Sequence, residues 1–465
     1  MDMLILIVST LLKIGFVLAI IFSFAPILIW AERRQSAMIQ DRIGPTRADI
    51  PVPQSFVPAI RGALGAGSGM HLLLAAVSGL VALWLAIEAG FVAHETGEFL
   101  LEGGIGGTEL DPLLSWNGVL WLAVLFVPLN LGLSRALSYG SRVFDGHITL
   151  FGLVHPIADA MKFMWKEDFV PENGDKLLHA IAPMLTVLTA IATFTVIPFA
   201  DILYLDALGD VIPASGAIAG DFIPMQVATV NVGILFIFAV AGTGVVGAAI
   251  AGYASDNKYA LLGGLRAAGQ MVSYEVTLGL TIVPMFMVYN SLLLEDMVHW
   301  QMGNWWGIFI NPLAFVLFLT ASLAEAKRIP FDLPEAESEL VAGYFTEYSG
   351  MKFGMFFMGE FIEVIVLSAL ATTIFFGGYD VPFLTRSGFE FMGYIAEVPH
   401  WGVIAIQMLS FVVKIALFIW FQLMVRWTLP RFRYDQIMNL CWKVLLPVSL
   451  LSIMVTGIGI LIMGG

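Results

Sequence analysis

FGMFFMGEFIEVIVLSALATTIFFG, residues 353–377, is apolar throughout apart from Glu360 and Glu363, and its reading decides the fold. A bilayer core about 30 Å thick is crossed by roughly 20 apolar residues in an α-helix, and this run is long enough. Moving outward, the same ruler finds runs near 305–324, 267–289, 227–251 and 177–199 on one side, and 400–424 and 442–463 on the other. Nearer the N-terminus lie 114–137, 71–93 and 4–30. The expectation is an all-α membrane protein, a polytopic helical bundle of about ten transmembrane helices. The first run reads as a retained helix and not a cleaved signal peptide. Asp2 stands where a basic start belongs, the apolar stretch is too long, and no small-residue cleavage site precedes Glu32-Arg33-Arg34.

Composition narrows the function. Of 465 residues 59% are hydrophobic and 12% charged, whereas a soluble domain carries about 25% charged residues. A water-soluble enzyme is excluded. The 46 Gly and 21 Pro fall within long apolar runs, as in membrane helices and unlike the alternating strands of a barrel. Cys441 is the one cysteine, so an intrachain disulfide and any Cys-ligated zinc or iron-sulfur site within this chain are excluded. His71, His94, His147, His155, His179, His299 and His400 sit in loops or at helix ends, which leaves no paired axial ligands for a membrane haem. A formal net charge of -14 disfavours nucleic acid as a partner.

Most of the 22 Lys and Arg lie in loops after odd-numbered spans, including Arg33, Arg34, Arg42, Arg47, Lys166, Lys258, Lys327, Arg328, Lys352 and Arg431. Loops after even-numbered spans are acidic, with Glu98, Asp201, Asp206, Glu295 and Asp296, and Arg386 is their one basic residue. The positive-inside rule therefore puts the basic loops in the cytoplasm and both termini outside.

One loop on the basic side breaks the pattern. Residues 331–350, FDLPEAESELVAGYFTEYSG, carry Asp332, Glu335, Glu337, Glu339 and Glu347. Pro334 followed by acids suits the first turn of a helix, so each glutamate alone can be a solvated helix turn, while the group points to function. Within the spans the ionisable residues are Lys13, Glu88, Arg135, Glu275, Glu360, Glu363 and Lys414. A charge at mid-membrane costs about 2.5 to 3.5 kcal/mol on insertion scales and so tends to face a bundle interior or a water path. Glu275, beside Ser273 and Tyr274, is the foremost candidate for handling protons. Glu360 and Glu363 share a helix face, where like charge can keep one of them protonated. Lys13, Glu88 and Arg135 can equally snorkel or pair. Residues 151–171 alternate apolar and charged positions at near-helical spacing, as in a helix lying along a membrane surface. The Gly-Pro turn in QDRIGPTR, 40–47, holds Arg42 and Arg47 close together, either as a loop anchor or to recognise a polar head group.

Taken together these segments resemble the H-type (mitochondrial subunit 1-type) membrane subunit of respiratory complex I, the NADH:quinone oxidoreductase. The resemblance rests on AERR at 31–34, QDRIGPTR at 40–47, PIADAMK at 156–162, KED at 166–168, NKYALLG at 257–263 and VSYEV at 272–276. It continues with RIPFDLPEAESEL at 328–340, EYSGMKF at 347–353 and RYDQ at 433–436. It covers residues 1–47 and 150–465. It implies a subunit of a proton-translocating enzyme in the bacterial inner (plasma) membrane, with quinone as substrate and no cofactor bound by this chain. FMN and iron-sulfur clusters would sit in partner subunits, and the iron-sulfur quinone-module subunits and small membrane subunits would be its neighbours in the lipid bilayer. The family's acidic loop maps onto Asp332, Glu335, Glu337, Glu339 and Glu347 and its intramembrane acid onto Glu275, together the start of a proton path. Arg42, Arg47, Lys162 and Phe331 match the quinone chamber.

Departures from the family pattern are His155 where Gln is expected, Thr46 where Asn is usual, and a stretch from 48 to 149. That stretch reads as an inserted two-helix hairpin on an eight-helix core. The division is thus 1–47 for the first helix and quinone-tunnel loop, 48–149 for the hairpin, and 150–465 for the rest of the core. The loop EGGIGGTE at 102–109 lacks a following Lys-Ser/Thr and is no phosphate cradle. The rival readings are the homologous subunit of a ferredoxin- or deazaflavin-linked dehydrogenase or of a membrane-bound hydrogenase and, more distantly, a secondary ion transporter. The length of the 330–353 match favours the quinone enzyme.

Overall fold

The computed structural model describes residues 3–41, 50–51, 143–144, 147–148, 155–204, 222–333, 341–391 and 394–463. Its helices, in chain order, are α1 (Met3–Ile39), α2 (His155–Trp165), α3 (Lys176–Thr193), α4 (Gly233–Ala254), α5 (Lys258–Tyr289) and α6 (Leu294–Gly303). After these come α7 (Gly307–Ile310), α8 (Pro312–Glu325), α9 (Gly350–Phe375), α10 (His400–Thr428), α11 (Tyr434–Asn439) and α12 (Leu446–Met463). Seven helical stretches among the described residues are long and apolar enough to cross a membrane. The predicted spans 71–93 and 114–137 lie outside the described residues.

Boundaries moved where hydropathy is a poor guide to helix ends. α1 runs past residue 30 to Ile39 because Ala, Glu, Arg, Gln and Met keep the helix going after the apolar run has stopped. α5 begins at Lys258, capped by Asn257, whose side chain accepts from the Tyr259 amide at 2.9 Å. The run 305–324, read as one span, is broken. Asn311 accepts from the Ala314 amide at 3.0 Å and Pro312 opens a new helix, since proline belongs in a first turn and not in a helix interior. The resulting α8 has 14 residues and a length of about 21 Å, short of the roughly 30 Å core. Between α11 and α12, Leu440–Leu445 form a π-helical turn, with the Cys441 thiol donating to the Ser273 carbonyl at 3.2 Å.

α9 is the centre of the bundle and packs against α1, α2, α3, α6, α8 and α10. α5 lies between α4 and α8. The turn 343–345 seats on α5 at Gly263, where an added Cβ would come within 2.6 Å of the Gly343 backbone, so only glycine admits the contact. Strands are short. Ile50–Pro51 (β1) pairs antiparallel with His147–Ile148 (β3), which also pairs with Val143–Phe144 (β2), so the residues flanking 52–142 meet in one small sheet. Leu203–Tyr204 (β4) pairs with Phe222–Ile223 (β5), and Leu384–Thr385 (β6), Gly388–Phe391 (β7) and Tyr394–Glu397 (β8) make a three-stranded meander. Both of these sheets lie on the side where α9 ends, opposite the acidic loop.

Candidate functional site

Glu275 projects from α5 toward α4. A Cβ on Gly242 would lie 3.0 Å from its carboxylate oxygen, so the absence of a side chain there makes room for the acid. A cavity of about 50 Å³ adjoins it, lined by Glu275, Glu325, Lys327, Glu363 and the hydroxyl residues Thr186 and Thr189, among others. At roughly 10–15 Å³ per water on this measure, a short water chain fits. Glu325, the last residue of α8, is 4% exposed, and its Oε2 has no hydrogen-bond partner among the described residues. A buried, unbonded carboxylate oxygen beside a cavity bordered by two further carboxylates and a lysine is poised either to carry a proton or to bond water.

Glu363 and Glu360 lie one turn apart on α9. Each faces its own cation: Lys327 Nζ lies 3.6 Å from Glu363 and Arg328 Nη2 lies 4.0 Å from Glu360. Tyr344 also donates to Glu360 at 3.1 Å, and the Arg328 guanidinium stacks 4.4 Å over the Phe361 ring. Counting from Gly350, Glu360 stands about 15 Å along α9 and Glu363 about 20 Å.

The start of the acidic loop continues this series. Arg431 donates to Asp332 at 2.8 Å, yet burial outweighs that guanidinium and pushes the Asp332 carboxyl up to about 6. Phe331 is buried, its ring between Tyr274 and Phe432 with centroids 5.8 and 5.7 Å away. It therefore wedges the loop onto α5. At the other end of the loop Glu347 accepts from Asn257 at 2.7 Å. Neighbouring residues are pinned as well: His179 stacks on Tyr348 at 4.0 Å, and Lys352 pairs with Asp168 at 2.9 Å.

α2 lies against α1 and α9 and exposes Ile157, Met161, Met164 and Trp165, the apolar face expected of a helix on a membrane surface. Asp159 on α2 pairs with Arg33 of α1 at 2.5 Å, and Lys162 stays exposed with its ammonium 4.8 Å above the Phe163 ring. Glu32 pairs with Arg426 of α10 at 2.8 Å. Arg42, Arg47, Glu335, Glu337 and Glu339 lie outside the described residues, as do Glu88 and Arg135.

The structure thus brings Glu275, Glu325, Glu363 and Lys327 around one cavity, sets Asp332 and Glu360 near Arg328 beside it, and leaves Glu347 on a separate anchor. Glu325 and Lys327 were not among the sequence candidates. The signal for them is AEAKR at 324–328, a carboxylate and two cations at the edge of an apolar run. Two lysines, buried Lys13 and half-buried Lys414, are structural. Lys13 donates to the Pro224 carbonyl at 3.2 Å, and Lys414 donates to the carbonyls of Phe376, Gly378 and Asp380.

A row of carboxylates that starts at a loop and ends at a cavity between membrane helices, with Arg431, Arg328 and Lys327 beside it, can store and pass protons. The sequence profile of the NADH dehydrogenase family matches residues 120–457, opening within the stretch read as an insertion. An H-type subunit of the NADH-quinone oxidoreductase of Cytophaga hutchinsonii is 42% identical over 312 residues, 67% of this chain and 85% of that protein. The second such protein of Geobacter sulfurreducens is 47% identical over 307 residues, 66% and 83% of the two chains. The corresponding protein of Thermomicrobium roseum is 45% identical over 327 residues, 68% and 86%. With the profile spanning most of the chain and these relatives covered over most of their length, this multi-pass membrane protein belongs to the H-type subunit family of NADH:quinone oxidoreductase, respiratory complex I, and is a subunit of that enzyme complex.

Proposed function

We propose that this chain walls the quinone chamber of the complex and that the acids from Asp332 to Glu275 are the first stretch of the path coupling quinone reduction to proton translocation. What supports the reading is the order of the groups. Asp332 with Arg431, Glu360 with Arg328, Glu363 with Lys327, and Glu325 with Glu275 succeed one another from the loop to the cavity. Electrons come from an iron-sulfur cluster of a partner subunit, with FMN further upstream. Adding two electrons to a quinone leaves it in need of two protons, and negative charge arising beside the loop raises the proton affinity of the nearest carboxylate. Each carboxylate in the row feels the charge of the next, so a proton drawn toward the quinone at one end alters occupancy at the other. Arg42, Arg47, Lys162 and Phe331 form or brace the chamber wall in this reading, and Glu335, Glu337, Glu339 and Glu347 form its acidic rim.

Glu347→Gln tests the rim, because the amide keeps volume and the Asn257 contact but cannot become negative. The expected result is a several-fold fall in NADH:quinone activity per assembled complex, with reduction of an artificial acceptor upstream unchanged. A wild-type ratio of the two activities would overturn the role of the rim.

The charge distribution supports a bacterial inner-membrane protein with the acidic loop in the cytoplasm and both termini outside. Residues 48–149 then form an inserted hairpin whose two ends return to the same face, in keeping with the pairing of Ile50 with Ile148. Cysteines introduced at Lys258, the first residue of α5, and at Asp296, beyond its other end, both exposed, test the orientation. An impermeant thiol reagent added outside should label position 296 and spare position 258, and the reverse pattern would invert the topology.

A further inference from the structure

On the side opposite the acidic loop, five separate segments converge on Asp201. This carboxylate is 2% exposed. Arg386, in the turn between β6 and β7, donates to it from Nε at 2.8 Å and from Nη2 at 3.2 Å. The Ile202 amide donates to Asp201 Oδ1 at 2.8 Å, and the Asp201 amide donates to Gln407 of α10 at 3.0 Å. His299 of α6 places Nε2 3.5 Å from Asp201 Oδ1 and 3.8 Å from Glu295 Oε1, one turn earlier on the same helix. The second Glu295 oxygen accepts from Gln226 at 3.1 Å. His400, the first residue of α10, accepts from the Tyr204 amide at 3.1 Å through Nε2.

The charges here do not balance while His299 is neutral. The groups facing it among the described residues are Asp201, Glu295, Arg386 and Tyr379. They provide two carboxylates and one guanidinium, and the imidazole stands between the carboxylates, within reach of both. Two further polar atoms are buried in the same cluster with no hydrogen-bond partner among the described residues: the Tyr379 hydroxyl and His400 Nδ1. Because Nε2 of His400 accepts, Nδ1 carries that ring's proton. Buried donors without partners are rare and costly, so the cluster retains bonding capacity that a proton-carrying water or a shifted side chain can use.

We propose that this cluster is a proton-binding latch: a proton taken onto His299 supplies the cation that Asp201 and Glu295 lack between them, and ties α6 to the 197–204 segment and through it to the start of α10. The chemistry is one proton bound from the aqueous phase on that side, with no other ligand. The neighbouring Glu295 carboxylate does most to hold the His299 value above its ordinary 6.5, with the Asp201 carboxylate adding to it and burial opposing both. A value raised in the folded protein means that the stabilisation is complete below the ordinary value and is lost as pH climbs through the raised one. The latch is closed in acid and opens as that compartment becomes alkaline. It stands about 39 Å along α9 from the acidic-loop end, and its function does not rest on the quinone reading.

Hydrogen–deuterium exchange on the intact complex in detergent reads the latch directly, since the Ile202 and Tyr204 amides bond to its members. After correction for intrinsic rates, these amides should be protected below about pH 6.5 and exchange several-fold faster by about pH 8 in the wild type. His299→Gln should remove the pH step and leave exchange fast throughout. Glu295→Gln, which takes away one of the two negative charges beside the imidazolium, should move the step to lower pH. A wild-type protein with no step, or a step that survives His299→Gln unchanged, would overturn the latch. Should His299→Gln fail to assemble, an unmoved step in Glu295→Gln would do the same.

Discussion

Glu325→Gln is expected to lower quinone-dependent NADH oxidation by about 100-fold or more, in line with the usual loss on removing a proton-transferring group, and proton pumping should fall with it. Reduction of an artificial acceptor upstream should continue at the wild-type rate per assembled complex. The carboxylate ends α8, is 4% exposed, and borders the cavity shared with Glu275, Glu363 and Lys327. Gln matches its volume and retains one acceptor oxygen, so packing survives while the capacity to release a proton is removed. Glu275→Gln should produce the same pattern from the opposite wall of the cavity. If the two acids serve one path, the double variant should be little worse than either single, because groups that act as a unit are not additive. Multiplicative losses would assign the two acids to separate roles. Wild-type quinone activity and pumping in both single variants would refute the path.

Lys414→Met is expected to act on assembly and not on chemistry. The ammonium lies within 2.5 to 3.0 Å of three carbonyls, those of Phe376, Gly378 and Asp380, in the turn that follows α9. It also sits 4.7 Å from the centre of the Trp306 ring, whose Nε1 donates to Asp380 at 2.9 Å. A carbonyl that loses its partner inside a bundle costs about 1–3 kcal/mol, so losing three at once should destabilise the protein by roughly 3 kcal/mol or more. Blue-native analysis should show a large drop in assembled complex, and the complex that forms should dissociate at lower temperature. Lys13→Met is the matched control. Its single bond to the Pro224 carbonyl predicts a loss of about 1 kcal/mol, and equal damage from the two changes would refute the capping role of Lys414.

The helical plan of the bundle and three of its intramembrane acids were legible from the chain alone. Apolar length is a property of each segment, and Glu275, Glu360 and Glu363 announce themselves because a charge inside a membrane helix is expensive wherever its neighbours lie. The family resemblance was legible for the same reason, since its motifs are contiguous. Helix ends were less so: AERRQSAMI in α1 continues as helix for reasons of backbone propensity, which hydropathy does not sense.

What one segment cannot reveal is which groups meet. Glu360 and Glu363 are legible as a like-charged pair, but that each also has a cation from residues 327–328 beside it is decided by packing. Glu325 looked like the edge of a loop until α8 proved short and its last residue turned to the cavity. Asp201, His299, Arg386 and His400 are scattered over some two hundred positions, and no local pattern links them. Burial and insertion costs depend on composition over about 20 residues and are therefore written into the sequence. Hydrogen bonds and ion pairs fall away within a few ångströms, so the pairings among these groups exist only once the helices have packed.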